Sequence, residues 1–275
     1  RIFAFQPQNI GPDLYFSLGI MALASIGHQP VNPSREGVAM KKAMDFILRR
    51  DQGRGTNEYF GSDGSRMYGH GITTLCLTEM LGMSVTRTQE TRLREVTTKA
   101  VKLILTSQKV RKSSPKYRGG WRYTPTAHDS DLSVTVWQLM ALRSAKNAGM
   151  NVPKEAIDMA VRYLNRSYYS PRNARGEPTN LRSGCGYIPG QPPRYATAAA
   201  GLLGACSRPS PSLSLLASDC GDQFGVPGDV APGDVFFMAS NMADCREDSL
   251  QFAIFRSDEL SYGFVTPAGH DEGSS

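Results

Sequence analysis

Three segments of the chain carry large apolar residues three and four positions after an alanine, with charged residues between them. They are Lys42–Leu48, Lys99–Leu105 and Met159–Asn165. This spacing places the apolar side chains on one stripe of a helix, so each segment predicts an amphipathic helix with one buried face. The alanines stand at positions 43, 100 and 160, intervals of 57 and 60 residues. Such regular spacing indicates an internal repeat.

A second kind of segment is apolar on most sides. Its predicted copies are Asp13–His28, Gly71–Met83, Leu132–Met150 and Tyr195–Cys206. A helix that is apolar all round lies inside a larger structure. We therefore expect these segments to form an inner layer and the amphipathic helices to form an outer layer. Loops with glycine and an aromatic residue join the two kinds of helix, at Tyr59–Gly61, Gly119–Tyr123 and Gly184–Tyr187.

The ends of the inner helices carry local signals. Gly82 and Gly149 stand where a left-handed residue closes a helix. Asp131 or Ser130 can cap the start of the helix that follows. Before residue 205, few segments alternate apolar and polar residues as a half-buried strand does. The sequence therefore predicts an all-α fold for this part of the chain.

Several motifs resemble one superfamily of helical-repeat proteins. Gln108, followed by Gly119-Gly120-Trp121, resembles the Gln…Gly-x-Trp repeat of squalene and hopene cyclases. The alternation of helices resembles the α/α toroid of terpenoid cyclases and protein prenyltransferase β subunits. Three stretches are similar to bacterial prenyltransferase and squalene oxidase repeat proteins: Met67–Ile72, Gly119–Pro125 and Ser133–Leu142. The resemblance covers roughly residues 10–205.

The resemblance implies an (α/α) barrel of several helix pairs around a central cavity. The chain offers too few helices for that ring, so we expect an incomplete toroid and a fragment of a longer protein. The sequence also begins without an initiator methionine or a secretion signal. We leave the compartment unassigned; a cell-envelope or periplasmic location would follow if a preceding segment carried a signal. No run of 18 apolar residues predicts a transmembrane helix.

Charge is distributed unevenly along the chain. The formal net charge is +6, but lysine and arginine greatly outnumber acidic residues up to residue 205. After that point acidic residues prevail, and the segment is rich in Ser, Pro and Gly. We expect a toroid domain over residues 1–206 and an irregular acidic tail over 207–275, in which Val235–Met238 and Leu250–Phe255 are strands or short helices. The asymmetry indicates either a basic face for an anionic partner or simply two kinds of segment.

Asp129 and Asp131 are the candidate catalytic residues. The resemblance to squalene-hopene cyclases implies an Asp-x-Asp-Asp motif near this turn, in which a protonated carboxyl donates to an alkene. Leu132 replaces the third aspartate here. The alternative is that the aspartates stabilise the start of a helix.

Aromatic residues are the candidate substrate-binding groups. An apolar cavity in which aromatic faces stabilise cations would be lined by Trp121, Tyr123, Trp137, Tyr68 and Tyr187, together with His70. The alternative is that the same rings pack the helix layers together.

Other chemistry finds little support in the sequence. Protein prenyltransferases bind zinc through Asp, Cys and His, but no such spacing occurs, so we predict no metal and no cofactor. No recognition motif indicates nucleic-acid binding. A basic loop remains, which would hold a diphosphate or an anionic headgroup or would simply be solvated. Its cations are Lys109, Arg111, Lys112, Lys116 and Arg118.

Two functions therefore stay open. In the first, an enzyme-like toroid binds or transforms an isoprenoid or another apolar substrate in its cavity. In the second, a non-catalytic repeat scaffold binds a protein or polysaccharide partner. The missing third aspartate and zinc ligands favour the second, whereas the family resemblance favours the first.

Overall fold

A computed structural model describes most of the helical part of the chain and three strands near its end. The described residues are 11–49, 58–169, 171, 173–175, 179, 184–193, 235–239, 251–255 and 263–265. The chain divides into two compact units, residues 1–228 and residues 229–275. Each unit is treated by itself.

Six α-helices dominate the described part of the first unit, which confirms the prediction of a mainly helical fold. They are α1 Pro12–Ser25, α2 Arg35–Arg49, α3 Arg66–Glu79, α4 Arg87–Gln108, α5 Leu132–Asn147 and α6 Lys154–Ser167. Short 3₁₀ helices occupy Phe60–Asp63 and Pro115–Tyr117, and a two-residue antiparallel pair joins β1 Tyr168–Tyr169 to β2 Gly184–Cys185. No described helix is both long enough and apolar enough to cross a membrane.

The helices alternate in burial and in neighbours. Helices α1, α3 and α5 contact one another in sequence, while α2, α4 and α6 each pack against the member of that row that precedes them. Helix α3 buries 11 of its 14 residues, whereas α6 buries seven along one stripe. The predicted division into buried and half-buried helices holds for α3 through α6.

Helix α1 differs from the other members of its row. It buries only one face, which includes Leu14, Ile20 and Met21. Tyr15 and Phe16, on another face, are more than a third exposed. The main contacts of α1 among the described elements are with α2 and α3, so it has a neighbour in the row on one side only.

The predicted helix ends are partly right. Helix α3 begins at Arg66, five residues before the predicted start, because Met67, Gly69 and His70 are already buried against neighbouring elements. Gly82 and Gly149 have the predicted left-handed conformation, with φ of 84° and 79°. The predicted helix Tyr195–Cys206 lies outside the described residues.

Equivalent backbone bonds show the repeat directly. The Met67 amide at the start of α3 donates to the Tyr123 carbonyl, and the Leu132 amide at the start of α5 donates to the Tyr187 carbonyl, at 3.0 and 2.9 Å. The donors are 65 residues apart and the acceptors 64, so consecutive loops dock against consecutive helices in the same way.

The loop aromatic residues dock equivalently as well. The Phe60 amide donates to His70 Nδ1 of α3 at 3.4 Å, and the Trp121 amide donates to Thr135 Oγ1 of α5 at 3.0 Å. Both Phe60 and Trp121 are 1% exposed. In each repeat an aromatic residue of the loop therefore enters the core, and one side chain of the following helix satisfies its backbone amide.

The second unit contains three antiparallel strands, β3 Val235–Ala239, β4 Gln251–Phe255 and β5 Gly263–Val265. Their order in the sheet follows the sequence, with β4 in the middle. Of the two conformations left open for the apolar segments, the strand is the one adopted. The rest of the predicted irregular tail, including the expected boundary at residue 206, lies outside the described residues.

Trp121 provides the test of the helix-and-loop arrangement. Its indole fills the core and its Nε1 donates to the Ile104 carbonyl at 2.9 Å. We expect Trp121→Ala to lower the free energy of unfolding by about 3–5 kcal/mol, measured by urea denaturation. Trp121→Phe keeps a ring and should lose clearly less. An unchanged midpoint for the alanine variant would show that Trp121 does not hold the repeats together.

Candidate functional site

A polar cluster lies where the starts of α3 and α5 meet two of the loops. Helix α3 contributes Tyr68, and Asp131 stands at the start of α5. The loop before α5 contributes Arg122 and Tyr123, and the next loop contributes Tyr187. The two docking bonds to the carbonyls of Tyr123 and Tyr187 hold both tyrosines beside the helix starts. We call these five residues the Asp131 cluster.

Asp131 caps α5, as the alternative prediction required. Its Oδ1 accepts hydrogen bonds from the Val134 amide and the Ser133 hydroxyl, each at 2.8 Å. The carboxyl is nevertheless 0% exposed. Its Oδ2 makes no hydrogen bond of normal geometry with a described residue and lies 3.5 Å from Arg122 Nε. Oδ1 therefore caps α5, and Oδ2 faces the other residues of the Asp131 cluster.

Arg122 links both aspartates to the aromatic rings. Its Nε lies 3.6 Å from Asp129 and 3.5 Å from Asp131. Its guanidinium sits over the rings of Tyr123 and Tyr187, at 4.6 and 5.6 Å from their centroids. A guanidinium between two aromatic faces gains cation–π attraction that adds to the ion pairs. Asp129 is 43% exposed, so its pair is screened by solvent, whereas the pair with Asp131 is buried.

The tyrosine hydroxyls form short hydrogen bonds around this pair. Tyr123 and Tyr187 share one bond of 2.5 Å, and Tyr68 shares another of 2.5 Å with the Ser133 hydroxyl. Burial, followed by the charge of Asp131, raises the pKa of Tyr68 above its usual range. Burial and the bond with Tyr123 likewise raise the pKa of Tyr187. These hydroxyls stay protonated and act as hydrogen-bond donors near a carboxylate.

The pKa of Asp131 is raised above its ordinary value. Burial is the main cause, because it penalises the charged form. The Val134 amide, the Ser133 hydroxyl and Arg122 each act in the opposite direction without cancelling it. This combination gives a carboxyl that can hold a proton at higher pH than an ordinary aspartate.

The other predicted site residues lie elsewhere. His70 is 0% exposed and packs against the rings of Tyr59 and Phe60. Because its Nδ1 accepts from the Phe60 amide, its Nε2 carries the proton and donates to the Ala100 carbonyl at 3.1 Å. The indole of Trp121 donates to the same helix, α4, one turn further on. These two side chains bind α4 to its neighbours, and neither belongs to the Asp131 cluster.

Trp137 lies on α5 and is partly buried, beside Gly71 of α3. Of the residues predicted to bind substrate, Tyr68, Tyr123 and Tyr187 thus lie in the Asp131 cluster. A substrate role for Trp121, Trp137 and His70 stays a prediction.

Sequence reasoning missed the roles of Arg122 and Ser133. Both stood inside quoted motifs, but no periodicity shows that an arginine will stack between two tyrosines from different loops. The contact depends on how consecutive repeats dock, and only the structure gives that.

The described residues contain no group of three His, Cys, Asp or Glu side chains that could hold a metal ion. Cys76 and Cys185 are buried, and neither forms a disulfide with a described residue. Burial raises the pKa of the Cys76 thiol to about 12, so it is neither a nucleophile nor a ready ligand. Cys206, Cys220 and Cys245 lie outside the described residues.

Comparison with known proteins gives no relationship. No protein-family model matches the chain, and no curated protein and no solved structure does either.

The contribution of Asp131 to stability can be tested with two substitutions. Asparagine is a good N-cap and removes the buried charge, whereas alanine removes both the cap and the partner of Arg122. We expect Asp131→Ala to cost about 1–3 kcal/mol of unfolding free energy and Asp131→Asn to cost clearly less. Chemical denaturation at neutral pH measures both.

The wild type and the Asp131→Asn variant together test the raised pKa of Asp131. A raised folded-state pKa gives stability that is present below the ordinary pKa of aspartate and is lost as pH rises through the folded value. The stability of the wild type relative to Asp131→Asn should therefore be highest in acid and should fall as pH increases. A difference that is constant with pH would contradict the raised pKa.

Proposed function

We propose that this chain is part of a terpenoid-cyclase-like α/α toroid that works as a non-catalytic repeat scaffold. Two features support the toroid. The row α1–α3–α5 with flanking helices is the order of contacts that a ring of helix pairs requires, and the repeated docking bonds turn successive loops toward the same ends of the inner helices. The Gln108 and Gly-Gly-Trp motif adds the resemblance to squalene and hopene cyclases.

The observation that carries the scaffold function is the use of Asp131 as a helix cap. A cyclase acid must release its proton into an apolar cavity at the substrate. Here Oδ1 is occupied by Val134 and Ser133, and Arg122 faces Oδ2 with a positive charge. The charge of Arg122 favours the ionised carboxylate, and so opposes protonation of an alkene, although burial outweighs it in the pKa of Asp131.

Two hollows of the described surface also lie away from Asp131. One, of about 470 Å³, runs between α4 and the residues that follow α5, and is lined by side chains such as Arg94, Val101 and Met150. The other lies along α4 alone. Both are open grooves on a flanking helix, a place suited to contacts with a partner surface.

A turnover assay tests this function. The purified protein is incubated with squalene and, separately, with geranylgeranyl diphosphate, and products are analysed by gas chromatography and mass spectrometry. We expect no cyclised or transferred product from the wild type, and no isoprenoid in a lipid extract of the purified protein. A cyclised product formed by the wild type would overturn the scaffold proposal.

The raised pKa of Asp131 favours one second candidate, an enzyme that acts on an isoprenoid. Tyr68 and Tyr187 place hydroxyl groups and aromatic faces around that carboxyl, which is the setting a protonated acid needs. Under this candidate the wild type forms product and Asp131→Asn loses at least about a hundredfold in rate, although the variant remains folded. Equal product formation by both proteins would eliminate Asp131 as the acid.

A further inference from the structure

Four exposed cations meet at the end of α6. Arg162 and Arg166 lie one turn apart on this helix, and Lys116 and Arg118 belong to the basic loop between α4 and α5. The fold brings the two pairs together although 44 residues or more separate them in sequence. We call these four residues the α6 basic surface.

Arg166 holds the loop in position. Its Nε donates to the Lys116 carbonyl at 3.5 Å, and its Nη2 donates to the Arg118 carbonyl. Its guanidinium also lies over the ring of Tyr163. The side chain of Arg166 thus fixes the backbone that carries the other two loop cations.

Some of the other cations on the described helices are paired with acidic residues. Lys41 binds Asp45, Arg94 binds Glu90 and Lys154 binds Asp158, all within one helical turn. None of the four residues of the α6 basic surface makes an ion pair with a described carboxylate. Burial is the main cause that lowers the pKa of Arg166; Arg162 and Arg118 also lower it, whereas Tyr163 acts in the opposite direction. No carboxylate of the described residues therefore offsets the repulsion among these cations.

The dipole of α6 explains only part of this grouping of cations. The negative end of the α6 dipole favours a cation in its last turn, which accounts for Arg166. It does not account for Lys116 and Arg118, which the loop adds to the same place. Grouping like charges costs stability, and a bound anion would recover that cost.

We propose that the α6 basic surface binds a ligand that carries several phosphate groups. Arginine presents a planar fork that matches phosphate oxygens, and three of the four cations are arginines. Phosphate contacts are favoured over base stacking because the nearby rings are occupied: Tyr163 is 0% exposed, and Lys116 lies over Tyr117 at 5.0 Å. Lys112 is not part of the surface, since it is partly buried and its ammonium donates inward to the carbonyls of Ala127 and Asp129. Arg166 also donates to two carbonyls, but its side chain is exposed and only its Nε and Nη2 are used.

This inference deepens the scaffold function and rests on it, because it assigns a class of partner to the scaffold. The scaffold proposal and the phosphate-binding proposal can fail separately. The turnover assay measures product formation, which depends on Asp131, whereas the α6 basic surface is tested by binding measurements with variants that leave Asp131 unchanged.

The test compares two double variants that lose the same charge. One is Arg118→Gln with Arg162→Gln, which removes two cations of the surface but keeps Arg166. The control is Lys41→Gln with Lys154→Gln, which removes two paired cations elsewhere. Binding of inorganic tripolyphosphate is measured by calorimetry at low and physiological salt. Binding to vesicles of phosphatidylglycerol in phosphatidylcholine is measured by co-sedimentation.

We expect the wild type and the control to bind at least one probe, and the Arg118/Arg162 variant to bind it about tenfold or more weakly. Binding to vesicles alone would identify the source of phosphate as a lipid surface, and binding to tripolyphosphate alone would identify a soluble ligand. Three results would overturn the proposal: no binding to either probe, equal loss in both variants, or preference for duplex DNA over both probes at matched phosphate concentration.

Discussion

The close passage of the loop Gly119–Trp121 between three helices is the constraint on which the described fold depends. Gly119 has a φ of 89°, and a Cβ there would meet the Met159 carbonyl oxygen of α6 at 2.2 Å. The Gln108 side chain, at the end of α4, donates to the carbonyls of Gly119 and Ala156, each at 2.9 Å. One amide thus joins α4, the loop and α6, and only glycine permits the approach.

The position of this loop also determines the chemistry of the site. Arg122 and Tyr123 follow Trp121 directly, so the burial of the indole places the guanidinium beside Asp131. The bridge between Trp121 and Asp131 ties the two ends of the turn together. Since a buried ion pair is costly unless it is well satisfied, the tyrosine hydroxyls and the helix start that surround Asp131 are part of what makes the pair tolerable.

The sequence predicted the elements better than it predicted their contacts. Apolar spacing identified the flanking helices, and the docking of Phe60 and Trp121 agrees with the aligned Gly-aromatic loops. Spacing failed at the start of α3, where the core extends into polar residues such as His70. It also could not show that Arg122 meets Tyr187, because that contact joins two repeats. Composition revealed the basic loop, but only the fold adds Arg162 and Arg166 to it.

Comparison of the two equivalent helix starts separates what the repeat needs from what is particular to Asp131. The position that matches Asp131 in α3 is Arg66, and α3 forms there without a side-chain cap. The repeat therefore does not require a carboxylate at this position, and serine or asparagine would cap α5 without burying a charge. What the carboxylate adds is the partner that holds Arg122 between Tyr123 and Tyr187. Through Arg122 the Asp131 side chain thus joins two repeats, a role that a scaffold needs whether or not the carboxyl ever transfers a proton.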